Sequence, residues 1–162
     1  MLIGVVSDTH SRPLPKQLIK DFQNVDFIVH AGDFCETADY EALKKIKDLK
    51  AVYGNMDSLE LRKRLPRKVI IPCGKFSIGV FHGEGPAHTV LDKVRNEFLK
   101  DKVDAVVFGH SHQAINQQIN GVLYFNPGSP NDVCASYCSY GVLDVSGNEV
   151  QGKIVTVKQE NG

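Results

Sequence analysis

Two aspartates, one asparagine and four histidines in this chain stand in short polar clusters with the makings of a metal centre. The clusters are Asp8-Thr9-His10, Gly32-Asp33, Gly54-Asn55, His82-Gly83 and Gly109-His110-Ser111-His112, and a sixth, Asn126-Pro127-Gly128-Ser129, closes the series. Asp8, His10, Asp33, Asn55, His82, His110 and His112 together form a nitrogen and oxygen set without thiolate. Such a set suits Mn²⁺, Fe or Zn²⁺ better than Ca²⁺ or Mg²⁺ alone. Seven donors exceed what one tetrahedral ion needs. If the Asp33 carboxylate bridges two ions, the donors divide into four and four. Two ions roughly 3.5–4 Å apart can hold a hydroxide between them and clamp a phosphoryl oxygen during in-line displacement. Each cluster alone is a weak signal, because a lone Gly-Asp or Gly-Asn is usually a turn. The ordered set is the signal.

What must position these residues is a series of strands. Apolar runs precede most clusters: Ile3-Gly4-Val5-Val6, Phe27-Ile28-Val29, Ala51-Val52-Tyr53, Ile78-Gly79-Val80-Phe81 and Ala105-Val106-Val107-Phe108. Ligands of open α/β sheets bind beyond the carboxyl ends of the strands, so distant clusters meet if these runs share one edge. Within Asp8-Thr9-His10 and His110-Ser111-His112, a continuing strand would project residues i and i+2 to one face. The first half alternates strand (2–7), helix (14–24), strand (26–30), helix (37–48) and strand (50–53), which predicts parallel pairing with right-handed crossovers. After Pro66 come strands at 68–72 and 76–82, a helix over 87–100 and a strand at 104–108. Strand-like pieces follow at 113–119, 122–126, 139–145 and 149–157, joined by turn signals such as Asn120-Gly121. The expected fold is a four-layer α/β/β/α sandwich of two stacked mixed sheets with outer helices, one domain over 1–162.

Composition narrows the function classes. Lys plus Arg equals Asp plus Glu at 19 each, for a formal charge of zero. That balance gives no support for a nucleic-acid partner or for electrostatic docking to a membrane. Arg62, Lys63, Arg64, Arg67 and Lys68 form a local basic group, read as a solvated loop or helix end. No apolar stretch approaches the ~18 residues that cross a bilayer, and the N-terminus lacks a signal-peptide pattern, so a cytoplasmic protein is expected. Cys35, Cys73, Cys134 and Cys138 are irregularly spaced and are expected to be reduced. Cys134 and Cys138 are read as buried small hydrophobes rather than half of a zinc site.

At these clusters the sequence resembles the calcineurin-like metallophosphoesterase superfamily, from Asp8 to Ser129. Its small size and its Asn126-Pro127-Gly128-Ser129 segment are similar to the compact YfcE-like phosphodiesterases. The resemblance implies that Asp8, His10, Asp33 and His112 hold one ion, and Asp33, Asn55, His82 and His110 the other. It makes 126–129 a supporting turn. It implies two divalent ions, Mn²⁺ first, with Zn²⁺, Fe²⁺, Ni²⁺ or Mg²⁺ as alternatives. The partner is a small phosphoester substrate; a homo-oligomer stays open. The activity implied is phosphodiester hydrolysis by a metal-bridging hydroxide. The alternatives are a phosphomonoesterase, a nuclease, or an interaction scaffold like the retromer subunit that keeps this fold while its site has decayed.

The sequence departs from that pattern after the Gly-Asn pair. Many members carry a histidine there, thought to protonate the leaving group, and this chain has Met56, whose thioether cannot. Asp57 is the candidate substitute if burial raises its pKa; the alternative is that it bonds its own loop backbone. Arg12 is a candidate for bidentate contact with a substrate phosphate.

Overall fold

In a computed structural model of the chain, residues 1–158 are described. Strand β1 (Leu2–Val6), helix α1 (Lys16–Phe22), β2 (Phe27–His30), α2 (Thr37–Ile46) and β3 (Leu49–Ala51) come first. The three strands pair in parallel, as the alternation with helices requires. Next come α3 (Leu59–Arg64), β4 (Lys68–Cys73) and β5 (Phe76–Phe81). A 3₁₀ turn at Ala87–Thr89 opens α4 (Val90–Glu97), followed by β6 (Ala105–Val107), β7 (Ile115–Ile119), β8 (Val122–Asn126), β9 (Ser139–Asp144) and β10 (Gln151–Thr156).

The strands form two five-stranded mixed sheets, ordered β10-β9-β1-β2-β3 and β4-β5-β6-β8-β7. The tail hairpins divide between them. β7 and β8 turn at Asn120-Gly121, both left-handed with φ of 51° and 80°, the backbone that a two-residue hairpin of type I′ needs. They extend the second sheet, whereas β9 and β10 return to pair antiparallel beside β1. A hairpin signal fixes local pairing and carries nothing about which sheet receives it.

Three apolar layers hold the sandwich together. Ile3, Val5, Val29, Ile78, Val80, Val107 and Phe125 fill the space between the sheets. Leu18, Phe22, Leu43 and Leu61, from α1 to α3, cover Val6, Ile28 and Tyr140 on the outer face of the first sheet. Val90 and Val94 of α4, with Phe98 just past its end, cover Phe81, Val106 and Tyr124 on the second. The order helix, sheet, sheet, helix is the expected one. β2 and β6 are buried at every residue, which explains their unbroken apolar runs.

Helix α3 is the element the sequence pattern does not announce. It is six residues long with one buried side chain, Leu61, and Ser58 caps it by accepting the Leu61 N–H at 3.4 Å. Arg62, Lys63 and Arg64 occupy its last turn, where cations suit the helix dipole. The basic group is largely committed: Arg64 pairs with Glu41 at 2.8 Å, Arg67 with Glu97 at 2.9 Å and Lys68 with Asp101 at 2.6 Å. All four cysteines are unpaired, but Cys134 is exposed and Cys138 half-buried. Their expected burial fails because both lie in the 130–138 loop rather than in a core. Among the described residues no helix is long and apolar enough to cross a membrane.

Candidate metal centre

The polar clusters lie just past the strands, and the backbone there leaves the strand conformation. Asp8, His10 and Ser11 have φ of 57°, 47° and 55°; Asp33 has 62°, His110 68° and His112 57°. Residues other than glycine seldom take this left-handed region, and where they do the surrounding structure must hold them. Asp8 and His10 therefore converge because the chain coils beyond Val6, not by strand alternation, which was the sequence-based reason. Backbone bonds zip the two loops together: Asp8 N–H to Gly32 O at 3.0 Å, His10 N–H to Asp33 O at 3.0 Å and Ser11 N–H to Phe34 O at 2.9 Å.

All seven candidate donors come together. Asp8 Oδ1 lies 3.3 Å from His112 Nε2, 3.7 Å from His10 Nε2 and 3.9 Å from His82 Nε2. Asp33 Oδ2 lies 3.3 Å from His82 Nε2 and 3.8 Å from His10 Nε2. Asn55 Oδ1 lies 3.0 Å from both His82 Nε2 and His110 Nδ1. Among the described residues, two groups of carboxylate and imidazole atoms are close enough to share an ion: Asp8, His10 and His112, and Asp8, Asp33 and His82. Asp33 Oδ2 faces both halves while its Oδ1 accepts the Met56 N–H at 2.8 Å.

The donor set fits a divalent cation on one further observation. Asp8 Oδ1 is buried and has no hydrogen-bond partner among the described residues, a cost that buried carboxylates do not normally carry. Its companion Oδ2 is satisfied by Ser7 Oγ at 2.6 Å and the His110 N–H at 3.0 Å. Burial alone would push the Asp8 carboxyl up; the neighbouring imidazoles of His10, His112 and His82 hold it well below the usual carboxylate range. Burial likewise opposes charge on His82, yet Asp33 and Asp8 raise its pKa. His112 is pushed up to about 9, first by Asp8 and, after an opposing burial effect, further by Asp132. The centre favours positive charge.

Each imidazole is held from behind. His82 Nδ1 meets Ala31 O at 2.7 Å, and His110 Nε2 meets Gly85 O at 2.8 Å. Those bonds leave the opposite ring nitrogens facing the cluster. His10 Nδ1 is 3.4 Å from Cys35 Sγ, and His112 Nδ1 is 2.6 Å from Asp132 Oδ2. Asp132 escaped the sequence reading because no apolar run precedes it. The 126–129 turn supports rather than lines the site: Asn126 Nδ2 donates to Gly109 O at 2.9 Å, and Ser129 Oγ to Asp8 O at 2.8 Å. Glycine is required beside two of the donors. A Cβ on Gly54 would overlap Asp33 Oδ1, and one on Gly109 would overlap Ser7 Oγ and Asp8 Oδ2.

Asp57 and Arg12 stand apart from the donors. Asp57 Oδ2 accepts the Asp33 N–H at 3.0 Å and the Gly54 N–H at 2.7 Å, and its Oδ1 accepts the Cys35 N–H at 2.8 Å. Burial pushes its carboxyl up, against the three amides that pull it down. Both oxygens accept backbone N–H bonds, so the geometry gives Asp57 the work of a brace between the β2 and β3 loops. Arg62 ties the same loop through the carbonyls of Asp57 and Asn55. Arg12 Nη1 donates to Asn131 O at 2.9 Å, joining two loops.

His30, buried under the centre, has its tautomer assigned by its neighbours. Nδ1 accepts the Gly32 N–H at 3.0 Å, so Nε2 carries the proton facing Thr9 Oγ1 at 3.1 Å. Burial pushes its pKa down to about 3. The folded state resists a proton that the unfolded chain accepts below about 6.5, so stability is lost as pH falls from there towards 3. At pH 5 this loss is about 2 kcal/mol. Urea unfolding at pH 7 and pH 5 should show wild type losing about that much more than His30→Gln; equal losses would contradict the buried neutral ring.

A family model for the calcineurin-like phosphoesterase superfamily domain matches residues 1–148, and the chain belongs to that superfamily. It is 34% identical to a probable metallophosphoesterase of Methanocaldococcus jannaschii, over 98% of this chain and 83% of the relative. A phosphodiesterase of the same organism is 26% identical over 92% of this chain and 96% of its own length. The fold is shared with Vps29 of Entamoeba histolytica, solved in complex with Zn²⁺, with a TM-score of 0.73 at 20% identity, covering 98% of this chain and all of that one.

Proposed function

We propose that this member of the calcineurin-like phosphoesterase superfamily is a dinuclear metal-dependent phosphodiesterase, a single domain over 1–162 acting in the cytoplasm. The observation that carries the reading is Asp8 Oδ1, buried and unpartnered at the focus of His10, His82 and His112. Asp8, His10, Asp33 and His112 would hold one ion and Asp33, Asn55, His82 and His110 the other, with Mn²⁺ first in order. Bound there, the ions supply a Lewis-acidic clamp for phosphoryl oxygens and make hydroxide available near neutral pH.

The chain's own residues do the positioning. Asp33 Oδ2 is presented to both halves because Oδ1 is anchored by the Met56 amide. A cavity of ≈ 410 Å³ opens beside His112, lined by Ser111, Gln113, Asp132 and Tyr137 among others, room for the organic group of a small ester. All seven donors are in place, which supports an enzyme over a scaffold whose site has decayed. The unpaired cysteines suit a reducing compartment.

The β3 loop supplies no acid for the leaving group, since Met56 is a half-exposed thioether and Asp57 is occupied. Departure should then depend on the leaving group's own basicity. With Mn²⁺, aryl phosphodiesters should be hydrolysed faster than alkyl ones by about the 10²–10⁴-fold that a general acid normally contributes. Rates measured across a series of phosphodiesters should fall steeply with leaving-group pKa. Failure to hydrolyse any member with any of the five metals would defeat the reading, and a flat dependence would require another proton donor.

A further inference from the structure

We infer that Asp132 is a positioning residue that fixes His112 as a ligand, setting the affinity of the ion held with Asp8 and His10 separately from that of its neighbour. The inference rests on the two-ion reading above. Among the four imidazoles, His112 is the one backed by a carboxylate, with Nδ1 2.6 Å from Asp132 Oδ2. The supports of His82 and His110 are backbone carbonyls, and that of His10 is a thiol.

His112 needs such a partner more than His82 does. The His82 ring is locked by burial, with its side chain 3% exposed, whereas that of His112 is 28% exposed. Its backbone is left-handed, beyond the strand that could otherwise orient it. Asp132 is itself held firmly. Its Oδ1 accepts the Cys134 N–H at 2.9 Å, and its carbonyl accepts from Cys138 Sγ at 3.4 Å. The preceding residue anchors the loop to the segment after Ser11: Arg12 Nη1 reaches Asn131 O at 2.9 Å, and Asn131 Nδ2 reaches Arg12 O at 3.3 Å. A carboxylate fixed at both ends accepts the Nδ1 proton and leaves Nε2 facing Asp8 Oδ1. Outer partners of this kind are worth about 10- to 100-fold in metal affinity.

The test is a titration of the full-length metal-free protein with Mn²⁺ alone, resolving the two binding events. Wild type should bind two ions. Asp132→Ala should weaken one of them by about 10- to 100-fold and leave the other unchanged. Asp132→Asn, whose amide oxygen can still accept the Nδ1 proton, should recover most of the loss. In the Zn²⁺-loaded protein, ¹⁵N NMR should find His112 protonated at Nδ1. Asn131→Ala loosens the loop and spares the carboxylate, so a loss equal to that of Asp132→Ala would assign the effect to loop integrity and overturn the inference. Unchanged affinity at both sites in Asp132→Ala would overturn it too, with the two-ion reading intact. A wild type that binds no Mn²⁺ would defeat that reading and this inference with it.

Discussion

Asp33→Asn is expected to lose both ions and about 10³-fold or more in phosphodiesterase activity. The size follows from the several kcal/mol that metal ions contribute to transition-state charge stabilisation, at about 1.4 kcal/mol per decade of rate. The cause is the placement of one atom. Asp33 Oδ2 is 3.3 Å from His82 Nε2 and 3.8 Å from His10 Nε2, between the two halves of the donor set. A neutral amide there removes the anion both ions would share, while leaving the volume nearly unchanged. Asn55→Ala provides the contrast. Asn55 Oδ1 meets His82 Nε2 and His110 Nδ1, so its loss should weaken one ion and spare the other. Metal content and activity of the two variants, measured together, decide the matter. Loss of the same single ion in both would contradict the division of ligands.

Asp57→Ala is expected to cost on the order of 3 kcal/mol of stability, because it leaves three amide protons at the site without their acceptor. For a chain of this length each kcal/mol lowers Tm by about 2–4 °C, so a fall of roughly 6–12 °C should be seen by calorimetry. The orphaned amides belong to Asp33, Cys35 and Gly54, so metal binding should weaken as well. A leaving-group acid at this position would behave differently. Its removal would slow alkyl esters far more than aryl esters and leave Tm nearly unchanged. That second pattern would return Asp57 to the role its sequence position suggested.

The two aspartates show what is legible in the sequence and what is not. Asp33 could be found because Gly32 and an apolar run precede it, and strand ends are where α/β proteins place their ligands. The parallel pairing of β1, β2 and β3 was legible for a related reason, since alternation of period 2 and 3.6 segments leaves few topologies open. Asp57 could be singled out, but not understood. Its partners are backbone amides at positions 33, 35 and 54, and nothing in a sequence says where an amide points. Asp132 was hidden more completely, in a loop between β8 and β9 without periodicity. Helix α3 was missed because six residues with one buried leucine make no pattern. The convergence of Asp8 with His10 was anticipated for a wrong reason. A strand continuing to residue 10 would alternate its side chains, whereas the chain turns into the left-handed region at Asp8 and brings both inward. The fate of the tail hairpins depended on non-local packing, and a local turn signal such as Asn120-Gly121 cannot carry that.

The most direct test of the two-ion centre is anomalous diffraction from crystals of the protein loaded with Mn²⁺. The arrangement of donors predicts two peaks, one among Asp8, His10 and His112 and one among Asn55, His82 and His110, both in contact with Asp33. A single peak, or none at these residues, would contradict it.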